Sequence, residues 1–232
     1  MDLFIEGIRT AINLLLGGDR EIYEIMLLSL KISCSATVAS LLIGIPVGTA
    51  LALSHFPGRR FIIAVVNTGM GLPPVVAGLL ISMLLWRSGP LGALEILYTP
   101  FAMVMAQGMI ALPIVTGITI AAIQSLPPEL RFQILALGAT KRQMVMILMR
   151  EAKLPLLAAV MAAFGGVISE VGASMMVGGN IRGETRVLTT ATVMEAGRGN
   201  FHTAIALSLI LLLLAFGITT ILTLIQQRER PR

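Results

Sequence analysis

Long apolar segments are the feature that most constrains the fold of this chain. Five of them, separated by shorter charged stretches, are each long enough to cross a hydrocarbon layer of about 30 Å. Only 12% of the 232 residues are charged and 56% are hydrophobic, whereas soluble domains carry about 25% charged residues. Backbone groups in lipid must be hydrogen-bonded within the protein, so each crossing is predicted to be helical. The predicted fold class is therefore an all-α polytopic membrane protein.

The predicted spans lie within one transmembrane domain of residues 25–226. They are followed by a predicted tail, residues 227–232, and interrupted by a charged segment at residues 127–153. The first is longer than a bilayer requires, which indicates tilt or an extension beyond the membrane. The five predicted spans cover about residues 25–55, 61–86, 101–123, 154–170 and 202–226.

Residues 1–24 are predicted to form an N-terminal interfacial, extracytoplasmic segment. They have no basic n-region and no small-residue cleavage site, so no signal peptide is predicted. Their apolar side chains recur near helical spacing, which is typical of a helix lying in the membrane surface. These apolar residues are Leu3, Phe4, Ile8, Ile12 and Leu15.

Loop charges predict the orientation of the spans. One side receives ten basic residues against three acids, and basic loops remain cytoplasmic. The N-terminus is then outside, and both residues 127–153 and the tail are cytoplasmic, in a prokaryotic cell (inner) membrane. The same topology explains the net charge of +5, so no nucleic-acid partner is predicted. The ten basic residues are Arg59, Arg60, Arg131, Lys141, Arg142, Arg150, Lys153, Arg228, Arg230 and Arg232.

The charged segment 127–153 reads as a compact helical projection. Pro127 and Pro128 before Glu129 predict a helix start, because proline suits the first turn and an acid favours its positive end. Gly138 is costly inside a helix, so it indicates either close contact with another surface or a turn before a second helix capped by Thr140. An ordinary amphipathic connector is the alternative. A structured basic projection between spans favours docking of a cytoplasmic partner.

The fourth span is followed by a glycine-rich stretch that is too broken to continue it. We expect a helix that exits or bends near Glu170, then a folded external loop. Non-helical backbone at membrane depth is tolerated where it lines a cavity, so this stretch is a candidate translocation path. Glu170 is either functional there or bonded locally. Pro73 and Pro74 in the second span predict a kink, for packing or for the path.

No motif of an enzyme appears in the sequence. It contains no GxxxxGK[ST], HExxH or GxSxG pattern, so neither ATP binding nor hydrolysis by this chain is predicted. His55 and His202 stand at predicted span ends and are expected to be structural, so no metal site is predicted. Cys34 is the single cysteine, which excludes an intrachain disulfide. No cofactor is predicted for this chain.

Three stretches resemble the permease subunits of type I ABC importers of molybdate, tungstate and sulfate. The first runs from Pro127 to Pro155, and its Gly138 and Leu154-Pro155 align with the glycine and LP of the EAA coupling signature. Its EAA positions hold FQI, and its spacer is longer by close to one helical turn. The others are MGLPPVVAGLLISMLLWRSGPLG, from Met70, and ISEVGASMMVGGNIRGETRVL, from Ile168. These variant forms look most like the tungstate branch.

The resemblance implies a machine in which this chain is one of several subunits. Two copies would form the channel, in contact with membrane lipids. A separate ATPase dimer would bind ATP and Mg and grip the coupling helices, and a separate extracytoplasmic protein would deliver the anion. The implied coupling residues are Ala136, Leu137, Gly138, Ala139 and Thr140. The implied path or gate residues are Pro73, Pro74, Glu170, Gly172, Ser174 and Asn180, and Arg182 and Arg186 are candidates for docking the binding protein.

An oxyanion needs polar donors along its path that do not hold it too tightly. The glycine-rich backbone is one source of such donors, and the two loop arginines either attract the anion or are solvated. Molybdate and sulfate remain alternative substrates. A secondary transporter or channel acting without an ATPase, and a membrane scaffold without transport, are the rival classes. The hydroxyls expected to supply donors belong to Ser169, Ser174, Thr185 and Thr189.

Overall fold

The computed structural model describes residues 2–228, and these contain helices, turns and loops but no strand. Residues 229–232, most of the predicted tail, lie outside the described residues. Eleven α-helices occur in the described part. They are α1 (Asp2–Leu16), α2 (Arg20–Leu53), α3 (Arg59–Met70), α4 (Pro74–Leu85), α5 (Pro100–Gln124), α6 (Pro128–Ala136), α7 (Lys141–Glu151), α8 (Lys153–Ile168), α9 (Gly172–Gly178), α10 (Leu188–Gly197) and α11 (Phe201–Arg228).

Three helices of the described chain, α2, α5 and α11, are long and apolar enough to cross a membrane. Two bent pairs raise the number of candidate spans to five, because α3 with α4 and α7 with α8 pass the same test together. This confirms the predicted fold class. The first of these spans, α2, has 34 residues, and at 1.5 Å per residue it is about 51 Å long. It is therefore longer than the bilayer is thick.

The second predicted span is two helices rather than one kinked helix. α3 and α4 have 12 residues each and meet at 106°. Each is about 18 Å long, too short to cross on its own. The prolines explain the break, because Pro73 precedes another proline and is held extended, with φ −60° and ψ 127°. Pro74 then occupies the first turn of α4, where its missing N–H costs nothing.

The N-terminal segment also differs from its predicted outline. α1 ends at Leu16, and α2 already begins at Arg20, before the predicted start at residue 25. Asp19 explains this early start, since its carboxylate accepts a hydrogen bond from the Glu21 N–H at 2.9 Å and caps the helix. Of the apolar side chains predicted to share one face of α1, Leu15 is partly buried and four are exposed, namely Leu3, Phe4, Ile8 and Ile12.

α2 and α5 form the most extensive contact between helices of the described chain. Gly44 and Gly48 of α2 face α5, and a Cβ built on Gly48 would lie 2.8 Å from the Thr116 carbonyl oxygen. Glycine therefore allows the two backbones to approach closely, as small residues do in membrane bundles. This pair forms the centre on which the shorter helices pack.

The loops separate to opposite ends of the bundle. At one end α2, α5, α6 and α7 share a buried cluster that includes Ala52, Ile123, Ile134 and Leu148. At the other end α1, α2, α10 and α11 share a cluster of Ala11, Ile22, Ile25, Leu188, Ala191, Ala206, Leu207 and Ile210. Residues 127–153 therefore lie far from α1 and α10.

We expect Gly48→Ala to destabilise the protein by about 1–3 kcal/mol, because the added methyl group overpacks the contact with α5. The matched control is Gly108→Ala, in the middle of α5, where a Cβ would meet nothing within 4 Å. There the higher helix propensity of alanine stabilises by about 0.5–1 kcal/mol. Thermal unfolding of both variants in detergent measures the difference, and equal melting temperatures would contradict the close approach.

Candidate translocation and coupling sites

Two helix breaks lie against each other in the middle of the structure. A Cβ built on Gly172, at the start of α9, would lie 2.8 Å from Val75 Cγ2 at the start of α4. One turn further on, a Cβ on Gly78 would lie 2.7 Å from the Ala173 Cα. The α3–α4 break and the α8–α9 break are thus packed closely together. This contact brings together four predicted path residues, Pro73, Pro74, Glu170 and Gly172.

Glu170 is bonded locally within this contact. Glu170 is 7% exposed, and its Oε1 accepts a hydrogen bond from the Ala173 N–H at 2.8 Å. Its carbonyl accepts the Thr189 hydroxyl at 3.0 Å. A carboxylate at the positive end of a helix satisfies amides that would otherwise be unpaired. The sequence left open whether Glu170 is functional or bonded locally, and these contacts give the local bonding a structural basis.

Ser174 lies beneath the break and connects α9 to α5. It is fully buried, and its hydroxyl oxygen accepts a hydrogen bond from Gln107 Nε2 at 3.3 Å. Gln107 is 3% exposed, and its Oε1 is buried without a partner among the described residues. Sequence reasoning missed Gln107, although a lone amide inside the third predicted span was a usable signal.

Three of the four hydroxyls that were predicted to supply donors to the anion donate to backbone carbonyls in this structure. Ser169 donates to the Gly165 carbonyl at 2.9 Å, and Thr185 donates to the Gly178 carbonyl. Thr189 donates to the carbonyl of the capping glutamate. A backbone that leaves regular helix must find other partners for its carbonyls. These hydroxyls supply them.

Asn180 lies at the far end of α9 from the two breaks. α9 has seven residues, so it spans about 10 Å. Asn180 adopts a left-handed conformation with φ 54°. Its Oδ1 accepts the Thr190 hydroxyl at 2.9 Å, which ties the turn to α10. It is not grouped with the other predicted path residues.

Arg182 and Arg186 share one carboxylate, that of Glu21 in the first turn of α2. Arg182 Nε donates to Glu21 Oε1 at 2.8 Å, and the Arg182 terminal nitrogen contacts Oε2. Arg186 lies 3.4 Å from Oε1. The bond to Glu21 raises the pKa of Arg182. The loop 179–187 is thereby tied to α2, and the Arg182 side chain remains 72% exposed, which leaves it accessible at this end. Sequence reasoning did not identify Glu21 as their partner.

The 127–153 segment forms the predicted pair of helices with a turn between them. Gly138 has φ +84° and separates α6 from α7, a conformation that favours glycine. Thr140 and Gln143 form a capping box, with the Gln143 N–H 3.3 Å from Thr140 Oγ1 and the Thr140 N–H 2.8 Å from Gln143 Oε1. The prediction of a helix, a turn and a second helix is confirmed.

The hairpin exposes two large apolar side chains. Leu137 is 88% exposed and Phe132 is 73% exposed. Ile134 and Leu148, on the inner side, are buried against α2 and α5. The hairpin is thus anchored by one face and presents apolar side chains on the other. Exposed apolar surface of this kind is typical of protein or membrane contacts.

If Glu170 acts as a helix cap, Glu170→Ala should lower stability by about 0.5–2 kcal/mol, because the Ala173 N–H loses its acceptor. Glu170→Gln keeps an oxygen at that place and should retain most of the stability and of the transport. Thermal unfolding and uptake measured side by side test this. A glutamine variant of normal stability that transports nothing would instead assign the negative charge a direct role.

Comparison with known proteins places this chain in a family. The family described as "Binding-protein-dependent transport system inner membrane component" matches residues 44–231. A "Probable anion ABC transporter permease protein" of Haloferax volcanii is 41% identical over 203 residues, which cover 85% of this chain and 88% of that protein. A "Tungstate uptake system permease protein TupB" of Peptoclostridium acidaminophilum is 38% identical over 227 residues, 98% of this chain and 100% of that protein.

The fold is likewise that of a solved transporter. A chain of the MetNI methionine ABC transporter, in an inward-facing conformation, superposes with a TM-score of 0.71 at 19% identity. The match covers 91% of this chain and 95% of that chain. The family match spans most of the sequence, from the middle of α2 to the C-terminal helix. This chain therefore belongs to the family of binding-protein-dependent transport system inner membrane components.

Proposed function

We propose that this chain is the permease subunit of an ATP-driven ABC importer for an oxyanion, and that the anion is tungstate. The observation that carries the proposal is 38% identity to a tungstate permease over 98% of this chain. The variant glycine-rich stretch from Ile168 and the longer coupling spacer, which look like the tungstate branch, point the same way. Molybdate and sulfate are the alternative substrates.

A homodimer supplies the rest of the path. Pro73 and Pro74 are exposed on a single chain, and Val75 beside them is 57% exposed. The contact between the two helix breaks is therefore open on one side, where a second copy would close it. Breaks in helices are tolerated at membrane depth where they line a cavity. The path then runs between two α4–α9 contacts, one from each copy.

The coupling hairpin, residues 127–153, is the proposed site of the ATPase. Its tip presents Leu137 and Phe132 to solvent, and its other face is fixed to α2 and α5. The hairpin lies at the end of the bundle that carries the predicted cytoplasmic loops. ATP bound by the partner shifts the dimer between inward- and outward-facing states because the partner contacts the two states differently. Loop 179–187, at the other end, is the proposed contact of the binding protein through Arg182.

Leu137→Asp should reduce ATP-dependent uptake by about tenfold or more, because it places a charge in the centre of an apolar contact. The side chain is 88% exposed, so the fold and membrane insertion should remain normal. The matched control is Leu94→Asp, at a residue 59% exposed before α5, which should leave uptake unchanged. Normal uptake with Leu137→Asp, or equal losses in both variants, would remove the hairpin from the coupling site.

Reconstitution of this chain with its ATPase and binding protein tests the substrate. Uptake into proteoliposomes is measured with tungstate, molybdate and sulfate in competition, with and without ATP. We expect ATP-dependent uptake in which tungstate competes best. ATP-dependent uptake of another anion would correct the substrate but retain the ATP-driven importer. Flux that persists without ATP or the ATPase would favour the rival secondary transporter or channel.

A further inference from the structure

One side of α3 is polar although the helix belongs to an apolar segment. Four exposed residues of α3 stand at positions i, i+4, i+7 and i+8, which is the spacing of a single helix face. We call this side the polar face of α3. It consists of Arg60, Ala64, Asn67 and Thr68.

The remaining sides of α3 have other surroundings. Phe61 is 74% exposed and Val65, one turn further along, is 54% exposed, so this side carries large apolar groups that suit lipid. A third side lies against α5, where a Cβ built on Gly69 would lie 2.9 Å from Pro113 Cβ. No residue of α3 is buried by the single chain. The polar face therefore meets something other than α5, and its chemistry differs from that of the lipid-compatible side.

Asn67 is the group on this face that lipid suits least. The Thr68 hydroxyl donates to the Ala64 carbonyl at 2.8 Å, so its own helix satisfies it. The Asn67 carboxamide makes no hydrogen bond with another described residue. It lies about 12 Å along α3 from the first residue of the helix, where contact with hydrocarbon would leave its N–H and carbonyl groups unpaired. Within residues 61–85 only three side chains are polar, those of Asn67, Thr68 and Ser82.

The charge along this face suits an anion. Arg60 lies about 10 Å from Asn67 along the helix axis. No aspartate or glutamate occurs in residues 25–94, so the neighbouring sequence contributes no competing carboxylate. The polar face ends where α3 stops, immediately before the break at Pro73 and Pro74, both of which are exposed. It therefore leads from a cation at one end of the span to the contact of the two helix breaks.

We propose that the polar face of α3 lines the half of the translocation path on the side of the predicted cytoplasmic loops, and that Asn67 donates a hydrogen bond to the passing oxyanion. A deprotonated oxyanion only accepts hydrogen bonds, and a carboxamide offers two N–H donors. A neutral donor assists passage without the tight capture that would prevent release. This inference rests on the proposed function, which supplies both the anion and the second copy across the path.

A direct contact of this face with a second copy is the rival assignment, since asparagine side chains also bond between helices in membranes. Two copies related by a two-fold axis would then present the same patch to each other. Such a self-contact would bring the two Arg60 side chains together without a carboxylate between them. The charge of the face therefore favours an anion over a second copy as its occupant.

Cysteine accessibility distinguishes these surroundings. Cys34→Ala removes the single native cysteine, and Asn67→Cys is then compared with the matched control Val65→Cys on the apolar side of the same helix. The complex of this chain with its ATPase is placed in nanodiscs and treated with the anionic reagent sulfonatoethyl methanethiosulfonate. We expect reaction at position 67 to be at least about tenfold faster than at position 65, because the thiolate is the reacting form and lipid disfavours it.

The sign of the charge is tested with the cationic reagent trimethylammonioethyl methanethiosulfonate. With each rate divided by that of a free thiol in solution, the anionic reagent should react with Asn67→Cys about fivefold faster than the cationic one, since opposite charges about 10 Å apart attract through a screened medium. Adding Arg60→Gln should remove this preference without abolishing the reaction.

The hydrogen bond itself is tested by ATP-dependent uptake. Asn67→Leu keeps the approximate size of the side chain and should lower uptake at low anion concentration about tenfold, the loss expected for one hydrogen bond to a charged group. Asn67→Gln retains the carboxamide and should retain most of the uptake. Val65→Leu is the control on the apolar side and should leave uptake unchanged.

The proposal is overturned by any of three results. Equally slow reaction at positions 67 and 65 would assign the polar face to lipid. A disulfide that forms in high yield between two Asn67→Cys copies would assign it to a contact between copies. Normal uptake with Asn67→Leu would remove the hydrogen bond to the anion. Fast reaction that prefers the anionic reagent, together with failed oxyanion uptake by the unmodified complex, would retain an anion-accessible face and reject the proposed function.

Discussion

The requirement that every backbone group be hydrogen-bonded in lipid governs this structure, because the chain breaks the helices of its apolar segments. Each break carries its own compensation. Pro74 brings no N–H to the start of α4, and Glu170 accepts an N–H at the start of α9. At the end of α9, the Val177 carbonyl accepts the Tyr98 N–H at 2.9 Å. The backbone at each break is therefore held in place although it leaves the regular helix.

Local chemistry explains what the sequence could predict. Pro127 and Pro128 mark the start of α6, and Thr140 with Gln143 marks the start of α7. Both signals involve only residues close in sequence, so the coupling hairpin was predictable. The 106° bend between α3 and α4 was not, because its angle depends on the contact of Gly78 with Ala173, nearly one hundred residues away along the chain. Proline signals that a helix stops, but the direction of the next helix depends on the surface against which it packs.

The same distinction applies to the candidate site. Four of the predicted path residues lie together, namely Pro73, Pro74, Glu170 and Gly172. The glycines at the two breaks leave room for the breaks to pack closely. The bonding of the hydroxyls could not be predicted, because a serine or threonine in sequence does not show which carbonyl lacks a partner. Helix ends create such carbonyls, and nearby hydroxyls satisfy them.

α5 links the two ends at which the proposed partners act. Near its middle Gln107 bonds to Ser174 beneath the helix breaks, and near its end Ile123 packs against the coupling hairpin. Between these points α2 lies against α5 across glycine, with too little space for independent sliding. A displacement of the hairpin must therefore either shift the α2–α5 pair or separate the hairpin from it.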